Sequence, residues 1–220
     1  MVLKSVKQIS EACGLEKVNV ILVNDGSTAG ITEEKVNQLR VELAPQSLNY
    51  LNTSLNRGKG HALRQAAKVA TGDIQVFTDI DFPYSTESFL AIIKALQHGA
   101  DIAAGVRELS YYEHVPAARK IISRLFRKVL KTALRLHLTD TQAGLKGFNT
   151  IGKQLFNETT IDRFLFDLEF IFLASNARGI QLVPVKVNLR PEVVFTKMNW
   201  KILLGESGNF LKIFFRHLFR

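Results

Sequence analysis

A single cysteine, Cys13, stands in the 220 residues. No disulfide can therefore form within the chain, and a reducing compartment fits. Its plain reading is a small buried apolar side chain. Long apolar runs are missing as well. No stretch approaches the roughly 20 residues that a membrane-spanning helix needs, and residues 1–15 lack the continuous apolar segment of a secretory signal. No linker rich in Pro, Gly or Ser, no low-complexity tract and no repeat divides the chain. One domain over residues 1–220 with a substantial core is expected, soluble or peripheral and cytoplasmic.

Acidic residues are scarce beside basic ones, 20 against 29, which leaves a net charge of +9. The excess is local. Arg107, Arg119, Lys120, Arg124, Arg127, Lys128, Lys131 and Arg135 are opposed over that span only by Glu108 and Glu113. Such a block suits a polyanion or an anionic membrane surface. Within it, Ile121, Ile122, Leu125, Phe126, Val129, Leu130, Ala133 and Leu134 recur at helical spacing, so a basic amphipathic helix is expected over 118–138. Residues 200–220 repeat the mixture, with four Phe in the last eleven residues. Both segments read as membrane-facing, the headgroup region being a natural seat for a stripe of this kind. Nucleic acid is disfavoured, since no recognised binding motif or row of stacking aromatics accompanies the charge.

Strands are expected at Val18–Val23, Ser47–Asn52, Asp73–Asp79, Asp101–Gly105 and Ile180–Val187, with helices at Glu33–Leu43, Lys59–Ala70 and Thr86–Gln97. Their alternation predicts an α/β fold with a mostly parallel sheet covered on both faces. Ligands bind such sheets outside the carboxyl ends of the strands. "NDGS", Asn24 to Ser27, and "FTDID", Phe77 to Asp81, both fall at those ends.

Asp79 and Asp81 are placed one residue apart where a strand stops. Buried and unpaired they would be costly. At a rim, one or two carboxylates completed by phosphate oxygens are a normal seat for Mg²⁺ or Mn²⁺. On an extended backbone the two side chains face opposite ways unless the strand is already turning. The plain alternative is a pair of solvated loop carboxylates. "NRGKGHAL", Asn56 to Leu63, opens a helix with a Gly-Lys-Gly turn, whose amides and Lys59 ammonium suit a diphosphate. Its spacing is not that of a P-loop.

"VNDGS", "NRGKGHAL", "FTDID", "AAGVR", "DTQAGLKGF" and "FLFDLEF" together resemble, in order and approximate spacing, family 2 glycosyltransferases. The likeness is to the branch that moves a hexose from a nucleotide sugar to a polyprenyl phosphate, dolichyl-phosphate β-glucosyltransferases first and dolichyl-phosphate mannosyltransferases next. It implies a glycosyltransferase A-type, Rossmann-like fold and an inverting, metal-dependent transfer at the cytoplasmic face of a membrane. UDP-glucose is the favoured donor and GDP-mannose the other. By the same resemblance, Asp25 contacts the nucleotide, Asp79 and Asp81 form the D-x-D pair with Asp81 the metal ligand, and Arg107, Arg119 and Ser123 hold the acceptor phosphate. Asp140, Gln142 and Lys146 line the donor and acceptor side, and Asp167 or Glu169 serves the sugar. For Asp140 and Asp167 a role as helix cap or core partner is an equal alternative.

The chain departs from the family pattern in three places. A first strand ending in a Pro-x-Tyr-Asn-Glu-type segment has no counterpart before "VLKSVKQISEACG", which reads as the helix that follows it; its loss would weaken nucleotide binding. Pro83 stands where some relatives carry a metal-binding Gln, and the C-terminal membrane spans of some relatives have no counterpart. Two other functions fit the same residues. One is transfer to a sugar hydroxyl in polysaccharide synthesis, which needs a base such as Asp140, Asp167 or Glu169. The other is a non-catalytic, membrane-associated remnant.

Overall fold

The computed structural model describes residues 2–29, 31–107, 117–136, 138, 140–191, 193, 206 and 208–215. The elements run α1 (Val2–Ala12), β1 (Asn19–Asp25), α2 (Glu33–Leu43), β2 (Ser47–Thr53), α3 (Lys59–Val69), β3 (Gln75–Phe77) and α4 (Thr86–Gln97). They continue with β4 (Ile102–Arg107), α5 (Ala117–Ala133), β5 (Lys146–Phe148), α6 (Thr150–Asn157), α7 (Phe166–Asn176) and β6 (Leu182–Val187). Helix starts are chemically marked. The Thr32 hydroxyl accepts from the Lys35 N–H ahead of Glu33 and Glu34, the Ser85 hydroxyl accepts from Ser88, and Asn149 Oδ1 accepts from Ile151 and Gly152. These bonds satisfy amides that the first helical turn leaves open.

The strands form two sheets. β1 and β2 pair in parallel, and a four-stranded sheet has the order β3-β5-β4-β6. β4 and β6 are parallel, while β5 is antiparallel to both its neighbours. The sheet is thus mixed where a mostly parallel one is expected, and the cause is β5. "KGF" offers no β-branched run, and its centre is tightly packed: a Cβ on Gly147 would lie 2.8 Å from Leu96 Cδ1 and 2.9 Å from Ile92 Cγ2, so both side chains would have to shift. The strand is made by burial between neighbours rather than by propensity.

α7 is buried on all sides from Phe166 to Ala174, which marks it as the central helix of the fold. An aromatic cluster packs at its start: the ring centroids of Phe148 and Phe156 are 5.1 Å apart, those of Phe156 and Phe170 5.0 Å, and Phe77 joins from β3. Leu130 and Leu134 fix the end of α5 and the turn after it in the same core. A helical segment over 208–215 adds Ile213 to that core, and Phe210 meets Phe126 of α5 at 6.3 Å. Of the two segments expected to face a membrane, α5 ends at Ala133 rather than at residue 138, and most of 200–220 lies outside the described residues.

Candidate active site

Two loops at the carboxyl ends of β1 and β3 build the rim. Asp25, the last residue of β1, accepts the backbone N–H of Arg57 at 3.0 Å and that of Gly58 at 2.7 Å. Gly58 has φ 116°, a conformation that side chains resist, and a Cβ there would meet Asp162 O at 2.5 Å. The next residue, Lys59, opens α3 and donates from Nζ to Asp79 Oδ1 at 2.5 Å. Its ammonium also stands 5.9 Å from the centre of the Phe166 ring. Consecutive residues, Gly58 and Lys59, therefore hold carboxylates from two different sheets.

The D-x-D segment is a turn. Phe82 N–H donates to Asp79 O at 3.0 Å, and Phe82 has φ 44°. Asp79 is half-buried and paired with Lys59, while Asp81 is exposed. Among the described residues no group of three acidic, His or Cys side chains is assembled to hold a metal. Two carboxylates on one turn with an open side still suit a hard cation that draws its other ligands from phosphate and water. Asp81 is the better placed, since Asp79 must loosen its hold on Lys59 to take part.

Residues 140–146 form the hub. The Asp140 carboxylate accepts the Arg107 backbone N–H at 2.7 Å and both Nε and Nη2 of its guanidinium. Burial alone would raise the Asp140 pKa, but the hydrogen bonds and charge of Arg107, with Lys146 farther off, outweigh it and hold the carboxyl below its ordinary value. Gly144 lies against Asp79, where an added Cβ would fall 2.3 Å from Oδ2. The Gly144 N–H donates to the Tyr84 hydroxyl at 2.7 Å, and burial pushes that phenol well above its ordinary pKa. Lys146 is fully buried and donates to Ala143 O at 2.5 Å and to Asp167 Oδ1 at 2.7 Å. Burial lowers its pKa, and the Asp167 carboxylate counters this only in part.

Asp25, Lys59, Asp79, Arg107, Asp140, Lys146 and Asp167 are thereby brought into one linked set. Gln142 is half-buried within the same loop. Glu169 belongs elsewhere: its carboxylate accepts from Thr160 N–H, Thr160 Oγ1 and Ile161 N–H at 2.8–2.9 Å, which makes it an anchor for the loop before α7. Ser123 is half-buried on α5, and the side chain of Arg119 lies outside the described residues. Tyr84 and Gly144 are site residues that sequence reasoning missed. The signal for Gly144 was within "DTQAGLKGF"; for Tyr84 nothing in "FPYS" marks a hydroxyl that meets a residue 60 positions on.

This fold is that of the glycosyltransferase A-type enzymes. Glucosyl-3-phosphoglycerate synthase from Mycobacterium tuberculosis, solved with Mn²⁺, UDP and phosphoglyceric acid, superposes with a TM-score of 0.56 at 12% identity, over 96% of this chain and 82% of that one. A mannosyltransferase from Pyrobaculum calidifontis, solved with GDP-Man and Mn²⁺, gives 0.53 at 19% identity, over 87% and 52%. The sequence model of glycosyl transferase family 2 matches residues 1–151, and the chain belongs to that family. Among curated relatives, the dolichyl-phosphate beta-glucosyltransferase of Drosophila melanogaster is 27% identical over 169 residues, 72% of this chain and 52% of the relative. The dolichol-phosphate mannosyltransferase of Pyrococcus furiosus is 24% identical over 207 residues, 91% and 54%. The chain spans about half the length of these relatives.

Proposed function

We propose that this chain transfers a hexose from a nucleotide-diphosphate sugar to a polyprenyl phosphate at a membrane surface, with UDP-glucose the favoured donor and GDP-mannose the alternative. The observation that carries the reading is the rim itself: Asp25, Lys59, Asp79 and Asp81 lie where two strands end, and the loop that touches Asp79 also fixes Arg107. The relatives named for dolichyl-phosphate transfer supply the acceptor class.

In this mechanism an acceptor phosphate oxygen attacks the anomeric carbon. The bond from that carbon to the diphosphate breaks, and its electron pair leaves with the nucleotide. A phosphate monoester, with a second pKa of about 6, is largely ionised at neutral pH and needs no strong base. Consistent with this, the three carboxylates that could serve as a base are all engaged: Asp140 with Arg107, Asp167 with Lys146, and Glu169 with the loop before α7. Lys59 meets the charge that builds on the leaving diphosphate. Asp140 fixes the plane of the Arg107 guanidinium, so that Arg107 can orient the attacking phosphate, with Arg119 and Ser123 of α5 as further contacts. Mg²⁺ or Mn²⁺, when held by Asp81 with Asp79 and the donor phosphates, adds positive charge at the leaving group.

No helix among the described residues is long and apolar enough to cross a membrane. Peripheral attachment, which the proposal puts on the cytoplasmic face, draws its support as membrane attachment from exposed Ile121 and Leu125 on α5, beside basic Arg124 and Lys128, and from exposed Leu211 and Phe215 on the adjoining segment. The deciding experiment is calorimetric titration with UDP, and separately GDP, with and without Mn²⁺. Cation-dependent binding of one nucleotide is expected, followed by transfer of its sugar to polyprenyl phosphate in vesicles. Binding of neither nucleotide would overturn the reading.

A further inference from the structure

Tyr84 stands just past the D-x-D pair and takes no part in the chemistry above. It is 4% exposed, and its hydroxyl accepts the Gly144 N–H at 2.7 Å. Gly144 in turn abuts Asp79: an added Cβ would fall 2.3 Å from Oδ2, the oxygen opposite the one that Lys59 holds. One glycine thus meets a carboxylate of the donor side and a buried phenol. The same glycine belongs to the loop that fixes Arg107 on the acceptor side.

We propose that Tyr84 is a positioning residue that couples the two halves of the site. Its hydroxyl ties the 140–146 loop to the D-x-D turn, so that a cation and diphosphate bound at the turn raise the affinity of Arg107 for the acceptor phosphate. This rests on the transferase reading and names how its two subsites communicate. Three observations carry it. First, the phenol is a fixed post. Arg190 Nε donates to Tyr84 O at 3.0 Å, the Arg190 N–H donates to Pro83 O at 2.8 Å, and the Ser85 N–H donates to Asn188 O at 2.9 Å. These bonds fasten residues 83–85 to the chain just after β6, and Arg190 Nη2 reaches on to Ser5 Oγ of α1 at 3.0 Å. The ring packs in one apolar cluster with Phe89 and Ile92, and with Ala143 and Leu145, the two neighbours of Gly144.

Second, the loop cannot shift without shifting Arg107. Leu145 O accepts the Gly105 N–H at 3.0 Å, Lys146 pairs with Ala104 in the sheet, and Asp140 holds both the backbone and the guanidinium of Arg107. Both ends of the loop are stitched to β4, and Tyr84 holds its middle. Third, Gly144 and both its neighbours are buried, so its N–H has no solvent to turn to. A buried amide without an acceptor is costly, which makes the hydroxyl the anchor of that stretch. The sign of the coupling follows. A ligand that immobilises Asp79 immobilises Gly144 beside it and, through the loop, the Arg107 guanidinium. The acceptor phosphate then has less freedom to remove from its arginine, which is positive cooperativity without a change of shape. By linkage the acceptor tightens nucleotide binding by the same factor.

The test is a ratio of affinities. Binding of geranyl phosphate, a soluble short-chain acceptor, is measured by calorimetry with and without Mn²⁺ and a saturating nucleotide, UDP or GDP, in wild type and in Tyr84→Phe. Wild type is expected to bind it about fivefold or more tightly with nucleotide and cation present, and Tyr84→Phe less than about twofold more tightly. A merely structural role would weaken binding in both states alike and leave the ratio standing. Equal ratios in the two proteins, or no gain in wild type, would overturn the proposal while cation-dependent nucleotide binding, and with it the transferase reading, still stands. Binding of neither nucleotide by wild type would overturn both. Should Tyr84→Phe not fold, hydrogen–deuterium exchange of wild type decides. Nucleotide with Mn²⁺ is expected to slow exchange in residues 140–146 together with 79–82, and slowing confined to 79–82 would remove the coupling.

Discussion

Lys59 Nζ lies 2.5 Å from Asp79 Oδ1, so the first carboxylate of the D-x-D turn is already neutralised by the side chain best placed to meet a diphosphate. The pair is partly solvated, and its two members are natural ligands for the two halves of a metal–diphosphate unit. Replacing Lys59 with Met should therefore separate two affinities. Mn²⁺ alone binds more tightly because Asp79 is released, while UDP binds about tenfold or more weakly, as expected from losing one hydrogen bond to a charged group. Titration of each ligand against both proteins checks it, and parallel changes in the two affinities would refute the arrangement.

Gly144→Ala tests the same corner from the other side. The new Cβ would fall 2.3 Å from Asp79 Oδ2, and a carboxylate can swing away where backbone could not. We expect stability to change by less than about 1 kcal/mol, with loss of cation-dependent nucleotide binding. Thermal unfolding and calorimetry on one preparation separate these effects.

Asp140 should give acid stability a recognisable shape. Its carboxyl pKa is held down in the folded state, so its stabilising contribution is complete above the unfolded value of about 3.9 and fades as pH falls through the lower folded one. Wild type should exceed Asp140→Asn in stability at neutral pH, and the gap should close only below about pH 4. Urea midpoints from pH 7 downward measure it. A gap that closes near pH 6 would mean that another group is responsible.

Lys146 and Asp167 form a buried pair. Lys146→Met alone strands a carboxylate in the core and should cost about 3–5 kcal/mol. Adding Asp167→Leu should recover most of that loss, because replacing both partners with apolar groups removes the unpaired charge. Denaturant unfolding of the two variants gives the comparison.

Ile121→Glu with Leu125→Glu places charge on an exposed apolar stretch of α5. Sedimentation with anionic vesicles should fall sharply, with nucleotide binding unchanged. Undiminished sedimentation would assign the stretch to some other surface.

The expected elements that rest on local chemistry match the structure closely. Glu33–Leu43 and Thr86–Gln97 coincide with α2 and α4, because each begins at a hydroxyl cap and carries a helical apolar repeat. β5 was illegible, since three residues, a buried lysine, a glycine and one phenylalanine, are too few to carry a strand signature. α7 shows in the sequence only as the motif "FLFDLEF"; buried on all sides, carboxylates included, it has almost no periodicity to read. Within the site, the spacing of Asp79 and Asp81 announced a rim, but pairings across 20 to 33 residues, Lys59 with Asp79 and Arg107 with Asp140, belong to topology. Glu169 shows the limit of a motif: it sits two residues from Asp167, yet its carboxylate faces the loop before α7.

Gly58 and Lys59 are joined by one peptide bond, which sets their Cα atoms about 3.8 Å apart. Because the Gly58 N–H holds Asp25 at the end of β1 and the Lys59 side chain reaches Asp79, two residues past β3, one backbone unit and one lysine side chain together span the cleft mouth. A deletion or insertion between these two residues would change the width available to a donor even if every side chain of the rim were retained.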